Sequence, residues 1–381
     1  MSKKVVGIGI PCLLVGGTEI QTLSLVKALV FETYLVDVIC YFEFDPVMVK
    51  QFEETGARVT LLQWSRSMGA VQFIRCLVNV ISTLNPIIFH VQYMAPGALP
   101  IVAARLAGVK KVIATVHQPK TASHGRFSGF ILRSASKLCT SFLSVSKSTE
   151  ESWFGSSHEF SLEKNYQKVF RHCTIYNSLD TAAIDLEVSQ LSSMQSTDEV
   201  IRIGTVCRLN YVKGVDTLIE AFYILWKKDS EGIQLLIYGE GDDELRLKKM
   251  VADLGIGRAV LFYGKLAPSE VLPATAQMNI VVVPSRFEAF GLYAAEAMCI
   301  GKPVVASDTF GLAEVITDQE TGLLFPVENT TELAEKLRSL IKDPSLRARL
   351  GQAARKSIKV RFDYTDYKKK VAKLYDLLCN S

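Results

Sequence analysis

Short apolar runs alternate with longer segments of helical period along most of the chain. In the first half the runs are Val5–Ile10, Leu35–Tyr41, Val59–Leu62, Ile87–Val91, Val112–Val116 and Phe142–Val145. They are rich in β-branched and aromatic residues and lack polar alternation, the pattern of parallel strands covered on both faces. Between them lie helical segments such as Glu19–Val30 and Pro46–Thr55. The second half repeats the rhythm, with strands predicted at Ile201–Val206, Gln234–Tyr238, Val260–Tyr263, Ile280–Val283 and Pro303–Ala306. Its helices are predicted at Val215–Lys228, Asp242–Leu254, Leu292–Cys299 and Thr331–Ile341. Strand and helix alternating in both halves predict an α/β protein of two doubly wound parallel-sheet domains. The polar stretch from Ser189 to Thr197 places a linker at 181–199, between domains at 1–180 and 200–360. From 361 to 381 a helix carries the stripe Tyr364, Tyr367, Val371, Leu374, Tyr375 and Leu378. No unit of about 20–50 residues repeats, which excludes a solenoid.

Composition narrows the classes. With 381 residues, 49% of them hydrophobic and 22% charged, the chain can build large cores without disulfide or metal staples. Its eight cysteines are scattered and never form a C-x-x-C pair, so zinc-ligand spacing is absent and they read as small core residues. The opening residues read as a strand rather than a signal peptide, and no run of about 20 apolar residues is present to span a bilayer. The expectation is a cytoplasmic protein.

The net charge of +4 argues against a general nucleic-acid coat, and no recognised nucleic-acid motif is present. The distribution is less even. Residues 1–180 hold 18 basic against 12 acidic side chains, and no Asp or Glu occurs from Thr55 through Thr149. That window carries eleven basic residues interleaved with apolar ones, among them Lys120, Arg126, Phe127, Phe130 and Arg133. Such a face is either simply solvated or drawn to an anionic membrane surface, where each cation contributes roughly 1 kcal/mol. The membrane reading is preferred over nucleic acid.

The stretch Pro284-Ser285-Arg286-Phe287-Glu288-Ala289-Phe290-Gly291-Leu292, running on to Glu296, carries the most chemistry. It leaves a buried strand, makes a loop and enters a helix near Gly291. The N–H groups of Phe290, Gly291 and Leu292 would face outward at a helix N-terminus, a place that binds phosphate. Glu288 in the loop and Glu296 a turn into the helix would flank that anion and accept hydrogen bonds from sugar hydroxyls. Arg208 and Lys213 follow the strand Ile201–Val206, where a doubly wound sheet binds ligands at its carboxyl edge.

This segment resembles the E-x7-E region of the retaining glycosyltransferases of family 4, which have the GT-B fold of two facing Rossmann-like domains. Other stretches agree in order: Gly204-Thr205-Val206-Cys207-Arg208-Leu209 with Lys213-Gly214, Tyr238-Gly239-Glu240-Gly241-Asp242, Gly16-Gly17-Thr18-Glu19, and the terminal helix, which in the family crosses back to the first domain. The resemblance implies a nucleoside-diphosphate sugar as donor, uridine diphosphate by default, with Arg208, Lys213 and Gly17 at the diphosphate. It places Glu288 at the transferred sugar, Glu296 at the ribose and Leu266 at the base. It also implies that these residues converge on one pocket in the crevice between the halves.

His117 matches a histidine near the reacting sugar, although Gln118-Pro119 follows where the family often has an acidic residue or a second histidine. His90 reads as a core residue or one that supports the site from behind. Asn177-Ser178-Leu179-Asp180 resembles the family's N-G-x-D loop, and Ser148-Thr149-Glu150-Glu151 reads as a capping box. No D-x-D occurs, so no catalytic metal and no further cofactor are expected; Glu43-Phe44-Asp45 reads as a helix cap.

The function this implies is retaining transfer of a hexose or N-acetylhexosamine to a lipid-linked or polysaccharide-precursor acceptor, in bacterial surface-glycan synthesis. It would take place at the inner face of the cell membrane, with the protein bound peripherally there. Two alternatives stand. One is a soluble transferase making a small glycoside or glucan. The other is a non-catalytic scaffold or nucleic-acid-binding protein on a decayed transferase fold, against which the intact Arg208, Lys213, Glu288 and Glu296 speak.

Overall fold

The computed structural model describes residues 4–94, 97–121, 124–125, 127–164, 166, 171–191, 200–228 and 232–380. The chain divides into two compact units, one of residues up to Ser178 together with Tyr364 onward, the other Leu179–Asp363.

In the first unit the chain runs β1 (Val5–Ile10), α1 (Gly17–Phe31), β2 (Leu35–Cys40), α2 (Pro46–Glu54), β3 (Arg58–Leu61), α3 (Ala70–Leu84) and β4 (Ile88–Tyr93). It continues with α4 (Leu99–Leu106), β5 (Lys111–Val116), α5 (Ser128–Ser136), β6 (Ser141–Ser144), α6 (Lys147–Phe154) and β7 (His172–Thr174). The seven strands pair in the order β3-β2-β1-β4-β5-β6-β7, all parallel. A core lies on each face. Val6, Ile8, Ile10 and Val38 pack beneath α1, while Phe89, Val91, Val112 and Phe142 pack beneath α3 and α4.

The second unit contains α7 (Thr181–Leu191), β8 (Ile201–Val206), α8 (Val215–Trp226), β9 (Ile233–Tyr238), α9 (Glu244–Asp253), β10 (Val260–Gly264), α10 (Pro268–Ala276) and β11 (Ile280–Val283). Then come α11 (Leu292–Cys299), β12 (Val304–Asp308), α12 (Phe310–Val315), β13 (Leu323–Pro326), α13 (Thr330–Lys342) and α14 (Pro344–Arg361). Its six parallel strands pair in the order β10-β9-β8-β11-β12-β13.

Both sheets match the expected doubly wound architecture. Each has one place where the strand order turns back, between β1 and β4 in the first unit and between β8 and β11 in the second. At such a point the loops leaving the two adjacent strands run to opposite faces of the sheet and open a ligand site at its carboxyl edge.

Two strands escaped the sequence pattern. β7 is three residues, His-Cys-Thr, with no apolar run to mark it. β13 ends on Pro326 and lies at the sheet margin, where a missing N–H costs no ladder bond. The segment expected as a linker from 181 instead begins with helix α7, started by the Asp180 carboxylate accepting from the Ala183 N–H at 3.0 Å. Residues 192–199 lie outside the described residues.

The terminal helix α15 (Tyr364–Asn380) belongs to the first unit. Its stripe of Val371, Leu374, Tyr375 and Leu378 is buried in the same core as β1 and α1. Among the described residues no helix is long and apolar enough to cross a membrane.

Candidate functional site

In the second unit, the loops leaving β8 and β11 meet at the switch point. β8 ends at Val206, and the chain makes a single turn of 3-10 helix at Tyr211–Lys213, with the Asn210 side chain accepting from the Lys213 N–H at 3.3 Å. Gly214 follows at φ +61°, where a Cβ would stand 2.1 Å from the Pro284 carbonyl oxygen. Only glycine lets this turn close onto the start of the other loop, and that contact brings Lys213 to Glu288. Lys213 Nζ donates to Glu288 Oε2 at 2.6 Å, and the Ser285 hydroxyl reaches the same oxygen at 3.4 Å.

Burial works to lower the Lys213 ammonium, but the Glu288 carboxylate outweighs it and holds the group above the ordinary lysine value. Arg208 is near enough to oppose that protonation. Its exposed guanidinium has no hydrogen-bond or ion-pair partner among the described residues. Lys213 is thus paired with Glu288, while Arg208 has no such partner among the described residues.

The helix α11 starts beside this group. Gly291 is its N-cap at φ +94°, where a Cβ would meet Leu312 Cδ2 at 2.6 Å, and no side chain caps the helix. The first-turn N–H groups, from Leu292 on, thus meet no capping side chain and sum with the helix dipole to attract an anion. The expectation for Phe290 concerned its backbone N–H; its side chain plays a separate part. Its side chain is buried, edge-to-face on Phe362 with ring centroids 5.1 Å apart, so it anchors the turn from below.

Glu296 lies a turn further on, partly exposed by surface area yet densely surrounded by protein. Desolvation, with a smaller push from Glu187 of α7, raises its carboxyl to about 7. The Tyr293 phenol beside it is raised by burial and feels both Cys207 and Glu296. Cys207 in turn feels Lys213 and Glu288, so electrostatic influence passes from Arg208, Lys213 and Glu288 through Cys207 and Tyr293 to Glu296. Leu266 is half-buried in the loop after β10, at the carboxyl edge of the same sheet.

Sequence reasoning missed the residue that fixes this arrangement. Arg286, 9% exposed, forms a two-pronged bond to Asp216 with both contacts at 3.1 Å. It also donates to Glu328 Oε1 and to the Tyr211 carbonyl, each at 2.5 Å, and lies 4.0 Å over the Tyr211 ring. One guanidinium therefore ties the Lys213 loop to the Glu288 loop. The only sequence signal was an arginine inside the motif and an aspartate two residues after the Lys-Gly pair.

The other expected residues lie in the first unit. Gly17 is the exposed first residue of α1 at the switch point between β1 and β4. His117 follows β5, and its Nε2 donates to Gln92 Oε1 at 2.7 Å. Burial lowers its imidazole to about 4, so the ring is neutral at pH 7 and its other nitrogen is an acceptor. His90 is buried as expected, bonded to the Tyr375 hydroxyl at 2.8 Å and the Thr115 hydroxyl at 2.7 Å. Gln21 pairs with the backbone of Ser178 in both directions, at 2.8 and 3.0 Å. Asp45 caps α2, as read.

Two further expectations need adjustment. The cap of α6 is Ser146, not Ser148, and Glu150 turns inward. The basic window is partly neutralised by carboxylates outside it: Arg58 pairs with Asp37, Arg66 with Glu43 and Lys147 with Glu159, while Arg105 and Arg133 bind carbonyl oxygens. Of the proposed docking residues, Phe127 just before α5 and Phe130 on it are 70% and 68% exposed, Arg133 is exposed and Lys120 half-buried. Arg126 lies outside the described residues.

Two parallel doubly wound sheets, with cations, a carboxylate and a helix N-terminus at the switch point of the second, define a GT-B-type protein. The family descriptions agree: "Glycosyltransferase Family 4" matches residues 15–155 and "Glycosyl transferases group 1" matches 192–357. These two regions take in most of the chain, and it belongs to the family-4 type of glycosyltransferases.

It is 33% identical over 177 residues to the glycogen synthase of Mycobacterium tuberculosis, a segment that is 46% of this chain and 42% of that relative. It is 28% identical over 292 residues to the N-acetyl-alpha-D-glucosaminyl L-malate synthase of Bacillus anthracis, covering 75% of this chain and 73% of that one. In fold it is similar to Anabaena HepE in complex with UDP, with a TM-score of 0.79 at 20% identity over 98% of this chain and 99% of that one.

Proposed function

We propose that this chain is a retaining glycosyltransferase that takes a hexose or N-acetylhexosamine from a nucleoside-diphosphate sugar, with UDP as the default carrier. The observation that carries the reading is the Lys213–Glu288 pair, with Arg208 unpartnered among the described residues, at the uncapped start of α11. HepE, similar in fold, was solved with UDP bound. In the proposed reaction the bond between the anomeric carbon and the β-phosphate oxygen breaks, and the acceptor oxygen bonds to the same face of that carbon. The acceptor proton passes to the departing phosphate. Negative charge grows on that phosphate as the bond breaks, so Arg208, Lys213 and the α11 N–H groups stabilise the transition state more than the ground state. Glu288 orients the sugar hydroxyls, Glu296 the ribose, and His117 binds as a neutral hydrogen-bonding ring. The cations do the work a metal does elsewhere, so turnover in the presence of a chelator is expected.

For the acceptor, the exposed Phe127, Phe130 and Ile131 at the start of α5 favour a lipid-linked or polysaccharide-precursor substrate at the inner membrane face, as in bacterial surface-glycan synthesis. A small soluble acceptor is the second reading, favoured by the relative from Bacillus anthracis, which aligns over most of the chain and is named for a malate glycoside.

The test is turnover with a panel of nucleotide sugars, with the anomeric configuration of the product read by NMR. Glu288→Ala should abolish turnover without changing the circular dichroism spectrum. An inverted product would end the retaining mechanism, and unimpaired turnover by the variant would end the site assignment. Sedimentation with anionic vesicles, lost in Phe127→Ser/Phe130→Ser, distinguishes the two acceptors.

A further inference from the structure

Away from the donor loops, in the first unit, a buried carboxylate sits between two imidazoles. Glu150, in the first turn of α6, is fully buried. Its Oε1 accepts from His172 Nδ1 at 2.5 Å, and its Oε2 accepts from the Thr174 hydroxyl at 2.5 Å and the His158 backbone N–H at 3.2 Å. His158 Nδ1 stands 3.8 Å from Oε1, and the three potential ligand atoms all lie within 4.8 Å of one another.

We infer that Glu150, His158 and His172 form a binding site for a divalent transition-metal ion, with Zn2+ the best match to the set. Two imidazoles and one carboxylate are a common zinc triad, with water completing the tetrahedron.

The spacing is close to what binding requires. Tetrahedral bonds of ~2.0–2.1 Å put ligand atoms roughly 3.3 Å apart. The observed 2.5 and 3.8 Å bracket that value, and with all three atoms within 4.8 Å of one another, changes of up to about 1.5 Å in their separations admit the ion. The carboxylate is already aimed: the Thr174 hydroxyl and the His158 N–H hold Oε2 and leave Oε1 facing both rings. Phe154 stacks on the His172 ring at 4.4 Å and 4° and fixes its plane.

Charge points the same way. A buried carboxylate calls for a paired positive charge. The nearby ammonium of Lys147 is engaged by Glu159 at 2.9 Å. A divalent ion would supply such a charge. His158 is 48% exposed at the side chain and borders an open hollow of ≈ 510 Å³ lined also by Lys147, Ser157 and Glu159, which gives an entry path and room for water.

The ligands join three pieces of chain. Residues 158–160 run along the sheet margin, with Thr174 N–H donating to the His158 carbonyl and Phe160 N–H to the Thr174 carbonyl, each at 2.9 Å. The ion would pin that segment and β7 to α6. Its role is therefore to secure the sheet edge, separate from sugar transfer.

The experiment uses the full, untagged chain, stripped with chelator and dialysed against Zn2+ or Co2+ alone. One equivalent should bind with a rise in Tm, and Co2+ should show visible d–d bands without thiolate charge transfer. His158→Ala removes a half-exposed ligand without opening the core, so it should fold and lose on the order of tenfold or more in affinity. Glu150→Gln should lose binding as well. Should that variant fail to fold, His158→Ala alone decides. Absence of stoichiometric binding, a thiolate charge-transfer band that puts the ion on cysteine, or unchanged affinity in His158→Ala each overturns the assignment.

Discussion

At the scale of single residues, Glu296 joins stability to pH. Its carboxyl is raised by desolvation and by Glu187 to about 7, above the value it would have in an unfolded chain. The folded state thus prefers the protonated form. The stability this provides is complete below the ordinary carboxylate range and is lost as pH rises through about 7. The difference corresponds to roughly 3 kcal/mol at most. Glu296→Gln should therefore flatten the urea-unfolding profile between pH 5 and 8 and raise stability at the alkaline end. An unchanged slope would mean that the carboxyl ionises freely in the fold. His90 and His117 run the other way: burial lowers them to about 3 and 4, so the neutral form is needed and acid costs stability. The motif residues Arg208, Lys213, Glu288 and Glu296 were legible in the sequence because their spacing follows strand ends. Arg286 was not, because its significance lies in partners 70 and 42 positions away.

At the scale of elements, the turn at Gly214 decides whether the site assembles. Its φ of +61° costs an L-residue about 1–2 kcal/mol, and a Cβ would also collide with the Pro284 carbonyl 2.1 Å away. Gly214→Ala should lower unfolding stability by more than that backbone cost. It should also separate Lys213 from Glu288, reducing any donor-induced rise in Tm. A variant with full stability would show that the two loops need not touch. Most helices and strands were legible because apolar period and length mark them; α11 falls on the expected residues, Leu292–Cys299. The misses were elements whose identity comes from neighbours: β7, three residues long, exists because β6 offers it a ladder, and α7 interrupts what reads as a polar linker. The cap of α6 shifted to Ser146 because Glu150 is drawn inward by His172 and Thr174.

At the scale of the whole molecule, the chain returns. α15 lies nearly two hundred residues after the rest of the first unit yet shares its core. Burying Val371, Leu374, Tyr375 and Leu378 at ~1.5–3 kcal/mol each amounts to roughly 6–12 kcal/mol, comparable with the ~5–15 kcal/mol that stabilises a typical domain. Ending the chain after Asp363 should therefore unfold the first unit while the second, whose core draws on residues between 201 and 350, keeps its own transition. Calorimetry would show one endotherm lost and one retained; two intact transitions would refute the dependence.

The sequence by itself determined the two doubly wound units, the stripe on the terminal helix and the carboxylates and cations of the donor motifs. Each of these is written in local period or in short spacing along the chain. Tertiary structure alone decided which cations stay unpaired, that Phe290 faces the core, that His117 is neutral, and that Glu150, His158 and His172 meet. Charge state and proximity depend on burial and on partners far along the chain, and folding sets both only when the strands take their places in the sheet.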